Sequence, residues 1–155
     1  MIRFSISRQT LEQQINVAKA TWLTRAKTRT DDIRNGTRTN ITNIWSEIKS
    51  VFMTLQGPKC AFCEKWIEDD QAIEFDVEHF RPKNRITRWP LPARLRNRGI
   101  TLTQPATGSE PGYRLLAYHH LNYVAACKTC NTTCKKDWFP IAGIRDATND
   151  DPTQM

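Results

Sequence analysis

The stretch FDVEHFRPKNR, residues 75–85, decides the fold because it shows where a strand ends and which side chains stand at that end. Apolar and polar residues alternate over AIEFDV, residues 72–77, and this alternation predicts a half-buried β-strand. Glu78 and His79 follow directly, and a basic loop broken by proline comes after them. Since a strand end is rigid, it can hold an acid and a histidine in one pose at the edge of a cleft.

A second pattern supplies partners for this strand end. Asn122 precedes a short apolar run, residues 123–126, that predicts a second strand. Asn131 lies further on, in a segment at 128–138 that predicts a short helix. The predicted order is therefore a strand with histidine, a strand with asparagine and a helix with asparagine.

Four of the five cysteines form two C-x-x-C pairs, Cys60 with Cys63 and Cys127 with Cys130. Two residues between thiolates let both sulfurs reach one tetrahedral zinc ion, and two such pairs close its coordination shell. The spacing predicts a structural zinc site, while a redox pair or buried free thiols remain open as alternatives. Cys134 stands outside both pairs and is interpreted as a bystander whose role stays open.

The charge of the chain favours a polyanionic partner, since 23 Lys and Arg against 16 Asp and Glu give a net charge of +7. A soluble basic protein without such a partner is the alternative. No apolar run approaches the roughly 18 residues of a membrane span, and the N-terminus lacks the apolar core of a secretory signal. We therefore expect a cytoplasmic protein with no membrane partner, in which cysteines serve metal binding or chemistry rather than disulfides.

Residues 1–57 predict a helical N-terminal segment. Thr10 with Gln13 fits a capping box, and Asn35-Gly36 predicts a break before a second helix that begins at Thr39 or Asn40 and ends at Gly57-Pro58. The buried face of the first helix is predicted to hold Leu11, Ile15, Ala18 and Trp22. That of the second is predicted to hold Ile41, Ile44, Ile48, Val51, Phe52 and Leu55.

The second half of the chain resembles the HNH endonuclease family, which has the ββα-metal fold. The motif residues are Glu78-His79 in DVEHFRPK, Asn122 in HHLNYV and Asn131 in CKTCN. The closer resemblance is to HNH proteins of Septu-type and retron-associated anti-phage defence systems, which share that strand end, the segment GYRLLAY at 112–118 and the FP pair at 139–140.

The resemblance covers about residues 58–140 and implies an α+β fold. The expected organisation is a helical N-terminal segment (1–57) packed on a zinc-containing HNH nuclease domain (58–140), followed by a polar tail (141–155) at which truncation stays open. Two positions depart from the family pattern. The third HNH position is Asn131 instead of His, and Cys134 takes the place of a family lysine, with Lys135 and Lys136 next to it.

By this resemblance His79 is the general base, while Glu78 and Asn131 hold a catalytic Mg²⁺ or Mn²⁺ and Asn122 orients His79. Asp76 is a weaker candidate ligand. The implied reaction is hydrolysis of phosphodiester bonds in DNA, with RNA not excluded. Contacts to nucleic acid are expected from Arg81, Lys83, Arg85, Arg88, Lys135 and Lys136, within or beside a basic loop that extends to Arg98.

Three function classes remain open: a metal-dependent endonuclease, a non-catalytic zinc-stapled nucleic-acid-binding module, and a subunit whose helical segment docks a partner ATPase. The first and third are compatible. His79 has the alternative of a structural or zinc-binding role, and His119 and His120 are interpreted as substrate-side or structural. The endonuclease is favoured because binding alone does not require a base beside two types of metal ligand. Oligomeric state and substrate sequence stay open.

Overall fold

The computed structural model describes residues 5–67, 75–146 and 148–153, which form an α+β fold. The helices are α1 (Arg8–Ala18), α2 (Trp22–Arg34), α3 (Lys49–Leu55) and α4 (Ala93–Arg96). The strands are β1 (Phe75–His79), β2 (Arg85–Thr87), β3 (Ser109–Pro111) and β4 (Tyr123–Cys127). A π-helix follows β4 at Thr129–Lys135, and 3₁₀ turns span Trp45–Ile48, Arg114–Leu116 and His120–Asn122.

The first helix begins earlier than predicted. Ser7 is the N-cap residue, and its hydroxyl oxygen accepts a hydrogen bond from the backbone N–H of Thr10 at 3.0 Å. Thr10 therefore lies inside α1, and the capping box predicted to start there is wrong. Leu11 and Ile15 are buried as predicted, whereas Ala18 is exposed at the end of α1.

The predicted helix break is confirmed at Asn35-Gly36, where α2 ends. Gly36 has a φ of 74°, in the left-handed region that glycine adopts without a Cβ clash. Trp22 is fully buried on α2, and its indole Nε1–H donates to the backbone oxygen of Ile44 at 2.7 Å. This bond ties α2 to the segment that precedes α3.

The second helix is shorter than predicted, because residues 39–44 are irregular. Side chains from other parts of the chain bind this backbone: the Tyr118 hydroxyl accepts from the Thr42 N–H at 2.9 Å, and Arg29 donates to the backbone oxygen of Thr42 at 3.3 Å. The predicted apolar stripe nevertheless lies in the core. Its buried members are Ile44, Ile48, Val51 and Phe52, with Ile41 and Leu55 partly buried against them.

β1 and β4 pair antiparallel, in a register that places His79 opposite Tyr123. The strand predicted at 123–126 is confirmed. Of the strand predicted at 72–77, residues 72–74 lie outside the described residues. α1, α2 and α3 share one buried core with this sheet, since Val77 and Tyr123 belong to the same apolar cluster as the buried faces of those helices. The helical segment therefore positions the strand that ends in His79.

Gln56, directly after α3, completes the second edge of β4. Its side-chain oxygen accepts from the N–H of Ala125 at 2.7 Å, and its amide nitrogen donates to the oxygen of Ala125 at 2.9 Å. The same nitrogen donates to the oxygen of Lys59 at 2.8 Å. One buried side chain thus joins the end of α3, the strand β4 and the start of the first cysteine pair.

β2 and β3 form a second antiparallel pair, and the long segment between them (88–108) carries α4. Gly112, directly after β3, crosses close to the loop that follows β1. A Cβ at this position would lie 2.5 Å from the backbone oxygen of Pro82, so the crossing requires glycine. Within the described ranges, no helix is both long and apolar enough to cross a membrane.

Candidate functional site

The cysteines of the two C-x-x-C pairs meet at one point, so their predicted clustering is confirmed. The four sulfur atoms lie within 4.8 Å of one another, and those of Cys63 and Cys127 are 3.9 Å apart. Sulfurs bound at about 2.3 Å around a tetrahedral zinc ion lie about 3.8 Å apart. The cluster therefore fits a structural zinc ion. Cys134 is exposed and is not part of the cluster.

Backbone hydrogen bonds fold the first cysteine pair into a turn against β4. The N–H of Cys60 donates to the oxygen of Lys65 at 2.9 Å, and the N–H of Ala61 donates to the oxygen of Ala125 at 3.0 Å. Cys127 is the last residue of β4. A zinc ion would thus join the turn after α3 to the end of β4.

The thiols of the cluster differ in acidity. Burial opposes ionisation of Cys60, but hydrogen bonds from the backbone of Cys63, Cys127 and Phe62 outweigh burial and lower the pKa of Cys60 to about 7. Burial raises the pKa of Cys127, and burial followed by the neighbouring sulfurs raises the pKa of Cys130. Because the pKa values of Cys127 and Cys130 are raised, these two thiols need a bound cation to be held as thiolates.

A cleft of about 640 Å³ opens between β1 and the π-helix. It is lined by most of the predicted catalytic and metal-binding residues, although they are far apart in the sequence. Those that line it are Asp76, Glu78, His79, Lys83, Arg85, Asn131 and Lys136.

His79 closes one end of the cleft and is only 3% exposed. Its Nε2 lies 3.0 Å from the backbone oxygen of Ala117, so the ring proton sits on Nε2 and Nδ1 carries the lone pair. Lys83 places its ammonium group 3.4 Å from Nδ1. Trp45 and Tyr123 pack edge-on against the ring, at centroid distances of 4.6 and 5.0 Å. Burial, and then the charge of Lys83, lowers the pKa of His79 to about 3, so the imidazole is neutral at physiological pH.

Glu78 is paired with Lys135 across the cleft wall. The Lys135 ammonium nitrogen lies 2.6 Å from Glu78 Oε1, and the two side chains are 10% and 14% exposed. Burial raises the pKa of Glu78 in spite of the nearby charges of Lys135 and Lys83. The carboxylate predicted to bind a metal ion is therefore held by an internal cation in this structure.

Asp76 and Asn131 meet on the same side of the cleft. The side-chain amide of Asn131 donates to Asp76 Oδ2 at 3.4 Å, and Lys128 approaches the same oxygen at 3.5 Å. Asp76 and Glu78 are two residues apart on β1, so both project from one face of the strand. The structure thus brings Asp76, a weaker candidate in the sequence, into contact with the π-helix, as it does Glu78.

Asn122 is 1% exposed and binds the backbone around His79 instead of the imidazole. Its oxygen accepts from the N–H of Arg81 at 2.8 Å, and its amide nitrogen donates to the oxygens of Arg81 and Leu116 at 3.1 and 3.3 Å. Asn122 therefore makes no hydrogen bond to the ring, and its predicted orienting role would act through the backbone around His79. Asn122 fixes the turn after His79 together with the residue that precedes Ala117.

One of the six predicted phosphate-binding side chains, Arg81, lies inside the fold. Arg81 is 6% exposed, lies over the ring of Tyr113 and donates to the oxygen of Pro152. Arg88 donates to the oxygens of Pro105 and Ala106. The burial of Arg81 corrects its predicted assignment to nucleic acid, whereas Arg88 is exposed and its predicted contact with nucleic acid stays a prediction. The predicted residues that do line the cleft are Lys83, Arg85 and Lys136.

His119 and His120 lie away from the cleft, in a separate cavity of about 570 Å³ between α1, α2 and the C-terminal segment. Their rings stack at 5.1 Å, and His120 Nε2 lies 3.4 Å from a carboxylate oxygen of Glu12. Of their two predicted roles, the structural one fits this location.

The sequence patterns did not reveal Trp45, Gln56 or the pairing of Lys135 with Glu78. Trp45 packs on His79 from 34 positions away in the chain, and no local pattern indicates that contact. Gln56 had one usable signal, since a glutamine just before Gly57-Pro58 stands where a helix end meets the first cysteine pair.

Comparison with known proteins finds one similar curated protein. Septu protein PtuB of Bacillus mycoides (strain KBAB4) is 32% identical over 94 residues, which are 61% of this chain and 26% of the relative. The chain therefore spans about a quarter of the length of the curated relative that it matches. No family model matches the chain, and no solved structure does.

Proposed function

We propose that the chain is a metal-dependent HNH endonuclease with a ββα-metal core, which hydrolyses phosphodiester bonds in DNA as part of anti-phage defence. The observation that carries the proposal is the setting of His79. A neutral imidazole with its proton fixed on Nε2 points its free nitrogen toward a cleft that also holds Asp76, Glu78 and Asn131. The defence role is supported by the similarity to a Septu protein.

His79 supplies the general base in this mechanism. Because the oxygen of Ala117 holds the Nε2 proton, Nδ1 is the nitrogen that takes a proton from an attacking water. Trp45 and Tyr123 keep the ring in that orientation by packing edge-on against it. The Lys83 ammonium group lies where this water would stand, so it has to turn toward the phosphate as substrate enters.

The oxygen atoms of Asp76, Glu78 and Asn131 have the chemistry that a hard divalent cation prefers. Mg²⁺ or Mn²⁺ held there would polarise the scissile phosphate and stabilise the leaving oxygen. We include Asp76 among the ligands because its carboxylate lies beside Asn131 and on the same strand face as Glu78. The cysteine cluster, with no open position, would hold its zinc ion for structure only.

The substrate would lie along the cleft and the segment between β2 and β3. Residues 79–109 contain no Asp or Glu, and Arg94, Arg96 and Arg98 are exposed on or next to α4. Lys83, Arg85 and Lys136 would contact phosphates near the cut, and the three arginines would contact phosphates further along the backbone. DNA is the proposed substrate, and RNA is compared with it in the assay.

A non-catalytic nucleic-acid-binding module is the second candidate, and the ion pair of Glu78 with Lys135 is the observation that favours it. A carboxylate already bound to lysine has no immediate need of a metal ion. A partner ATPase, implied by the family resemblance, is compatible with either candidate and is proposed as the other component of the defence system.

Cleavage of supercoiled plasmid and of an RNA of matched sequence, with Mg²⁺, Mn²⁺ or no divalent cation, tests the proposal. We expect nicked or linear DNA only with the cation. Glu78→Gln should shift the metal response to higher concentrations, because a neutral amide binds a divalent cation more weakly than a carboxylate does. Metal-independent binding of DNA without cleavage, unchanged by Glu78→Gln, would favour the binding module.

A further inference from the structure

The ion pair of Lys135 and Glu78 is unusual among the charged contacts of this protein because both partners are nearly buried, at 10% and 14% exposure. In the pairs Arg25–Glu47 and Lys128–Asp76, by contrast, each side chain is at least 31% exposed. An exposed pair contributes little, whereas a charge left alone in a buried position is costly. Glu78 therefore needs a cation beside it whenever its carboxyl group is ionised.

In this structure the cation beside Glu78 is the ammonium group of Lys135. Lys135 is the last residue of the π-helix, and its ammonium group also donates to the oxygen of Lys136 at 3.2 Å. This second bond anchors the ammonium group at the cleft wall, 2.6 Å from Glu78 Oε1. A divalent cation bound to the same oxygen would stand within contact distance of the ammonium group and repel it.

We propose that Lys135 is a placeholder for the divalent cation: it neutralises Glu78 in the metal-free protein and has to leave when the metal ion binds. The inference rests on the proposed function, since it takes Glu78 as a metal ligand. Lys135 then lowers the affinity of the site for metal by the free energy of the ion pair that is broken. In return it keeps the empty site folded.

Replacing Lys135 should strengthen metal binding but should destabilise the protein in the absence of metal. Lys135→Met removes the competing cation, so Mn²⁺ should bind more tightly, with a Kd lower by about five- to tenfold or more if the pair couples to the metal site as bound ligands commonly do. Without metal the same variant leaves Glu78 unpaired, so its melting temperature should fall. Added Mn²⁺ should then raise that temperature more than it does in the wild type.

Lys136→Met is the matched control. It removes one positive charge from the same cleft, one residue away, but its ammonium group lies 5.0 Å over the ring of Trp138. If general charge in the cleft set the metal affinity, the two variants would behave alike. The placeholder role predicts that Lys136→Met changes the Kd for Mn²⁺ much less than Lys135→Met does.

The test is a Mn²⁺ titration of the zinc-loaded full chain, followed by the spin-resonance signal of free Mn²⁺ and by melting temperature. The wild type, Lys135→Met, Lys136→Met, Lys135→Arg and Glu78→Gln are compared. The expected result is tighter binding in Lys135→Met alone, with Lys135→Arg close to the wild type because it keeps a cation there. Should Lys135→Met fold only with Mn²⁺ present, that dependence supports the proposal equally.

Three results would overturn it in distinguishable ways. Equal Mn²⁺ affinity in the wild type and Lys135→Met, with weaker binding in Glu78→Gln, rejects the placeholder role and keeps the metal site. Absence of any Mn²⁺ binding that depends on Glu78 rejects the metal site and the placeholder together. A Lys135→Met chain that is destabilised without gaining any stability from Mn²⁺ also rejects the placeholder, because the missing cation is then not replaced by metal.

Discussion

The cysteine cluster and the cleft are neighbours in the chain, since Cys130 and Asn131 are consecutive, yet they are built in opposite ways. The cluster gathers four like ligands whose sulfurs lie within 4.8 Å of one another. The cleft gathers unlike groups, and its acid and its histidine are each approached by a lysine, Lys135 and Lys83. Four like ligands around one ion fix the local structure. Where a lysine side chain covers a polar group instead, that lysine can move away and a metal ion or a substrate can take its place.

Breaking the cluster should have the largest effect on the molecule. Cys130→Ser should lose the zinc ion and the cooperative unfolding transition, because structural zinc sites contribute about 10–16 kcal/mol in small zinc-binding peptides, as much as the whole stability of a domain. Metal analysis and circular dichroism melting measure both. Cys134→Ser is the control and should keep about one zinc ion per chain. A Cys130→Ser protein with normal zinc content and melting would show that the cluster is not the structural site.

The cysteine cluster could be predicted from local sequence, whereas several contacts of the cleft could not. Cysteine spacing is local, so the cluster follows from two short motifs, and the strand that ends in His79 follows from local alternation with the motif beside it. The pairing of Glu78 with Lys135 and the burial of Arg81 depend on chain segments that meet only after folding, where packing outweighs local pattern. Asn122 was recognised as a motif residue, but whether its amide meets a ring or a backbone depends on tertiary placement.

Gln56, which joins the end of α3 and the strand β4 to the first cysteine pair, should give the next largest effect. Gln56→Ala would leave the N–H of Ala125 and the oxygen of Lys59 without the bonds that this side chain makes. Since a buried unpaired polar group costs about 1–3 kcal/mol, we expect a loss of roughly 2–4 kcal/mol in the free energy of unfolding, measured in urea. Gln13→Ala, at an exposed position of α1, should change it by less than about 0.5 kcal/mol. If the two variants lost the same free energy of unfolding, the hydrogen bonds of Gln56 would not contribute to stability.

A smaller effect on stability should come from the burial of His120, and it should depend on pH. Burial lowers the pKa of His120 to about 4, and of His79 to about 3, below the value of about 6.5 in an unfolded chain. Below pH 6.5 the unfolded state therefore binds more protons, so the contribution of His120 to stability is complete above pH 6.5 and is lost as the pH falls toward 4. Between pH 7 and 5 the wild type should lose about 1–2 kcal/mol more than His120→Gln does, as measured by urea unfolding. Parallel losses would mean that His120 is not held neutral by the fold.

The smallest expected effect concerns the basic segment between β2 and β3. Arg94→Gln with Arg98→Gln should weaken DNA binding several-fold for all sequences. The dependence of log affinity on log salt should become shallower by about 0.9 for each phosphate that the variant no longer neutralises. The control is Lys19→Gln with Lys27→Gln, which removes the same charge from the N-terminal helices. If both double variants weaken binding equally, net charge and not this segment attracts the nucleic acid.

Zinc content and plasmid cleavage, measured on one preparation of His79→Ala, separate the structural role of the cluster from the chemistry of the cleft. His119→Ala, which lies outside the cleft, is measured beside it. We predict that His79→Ala keeps about one zinc ion per chain while its cleavage rate falls by about 10²–10⁴, the usual contribution of a positioned general base. His119→Ala should keep the zinc content and the cleavage rate of the wild type. Cleavage by His79→Ala at the wild-type rate would contradict the assignment of this strand end to the chemistry.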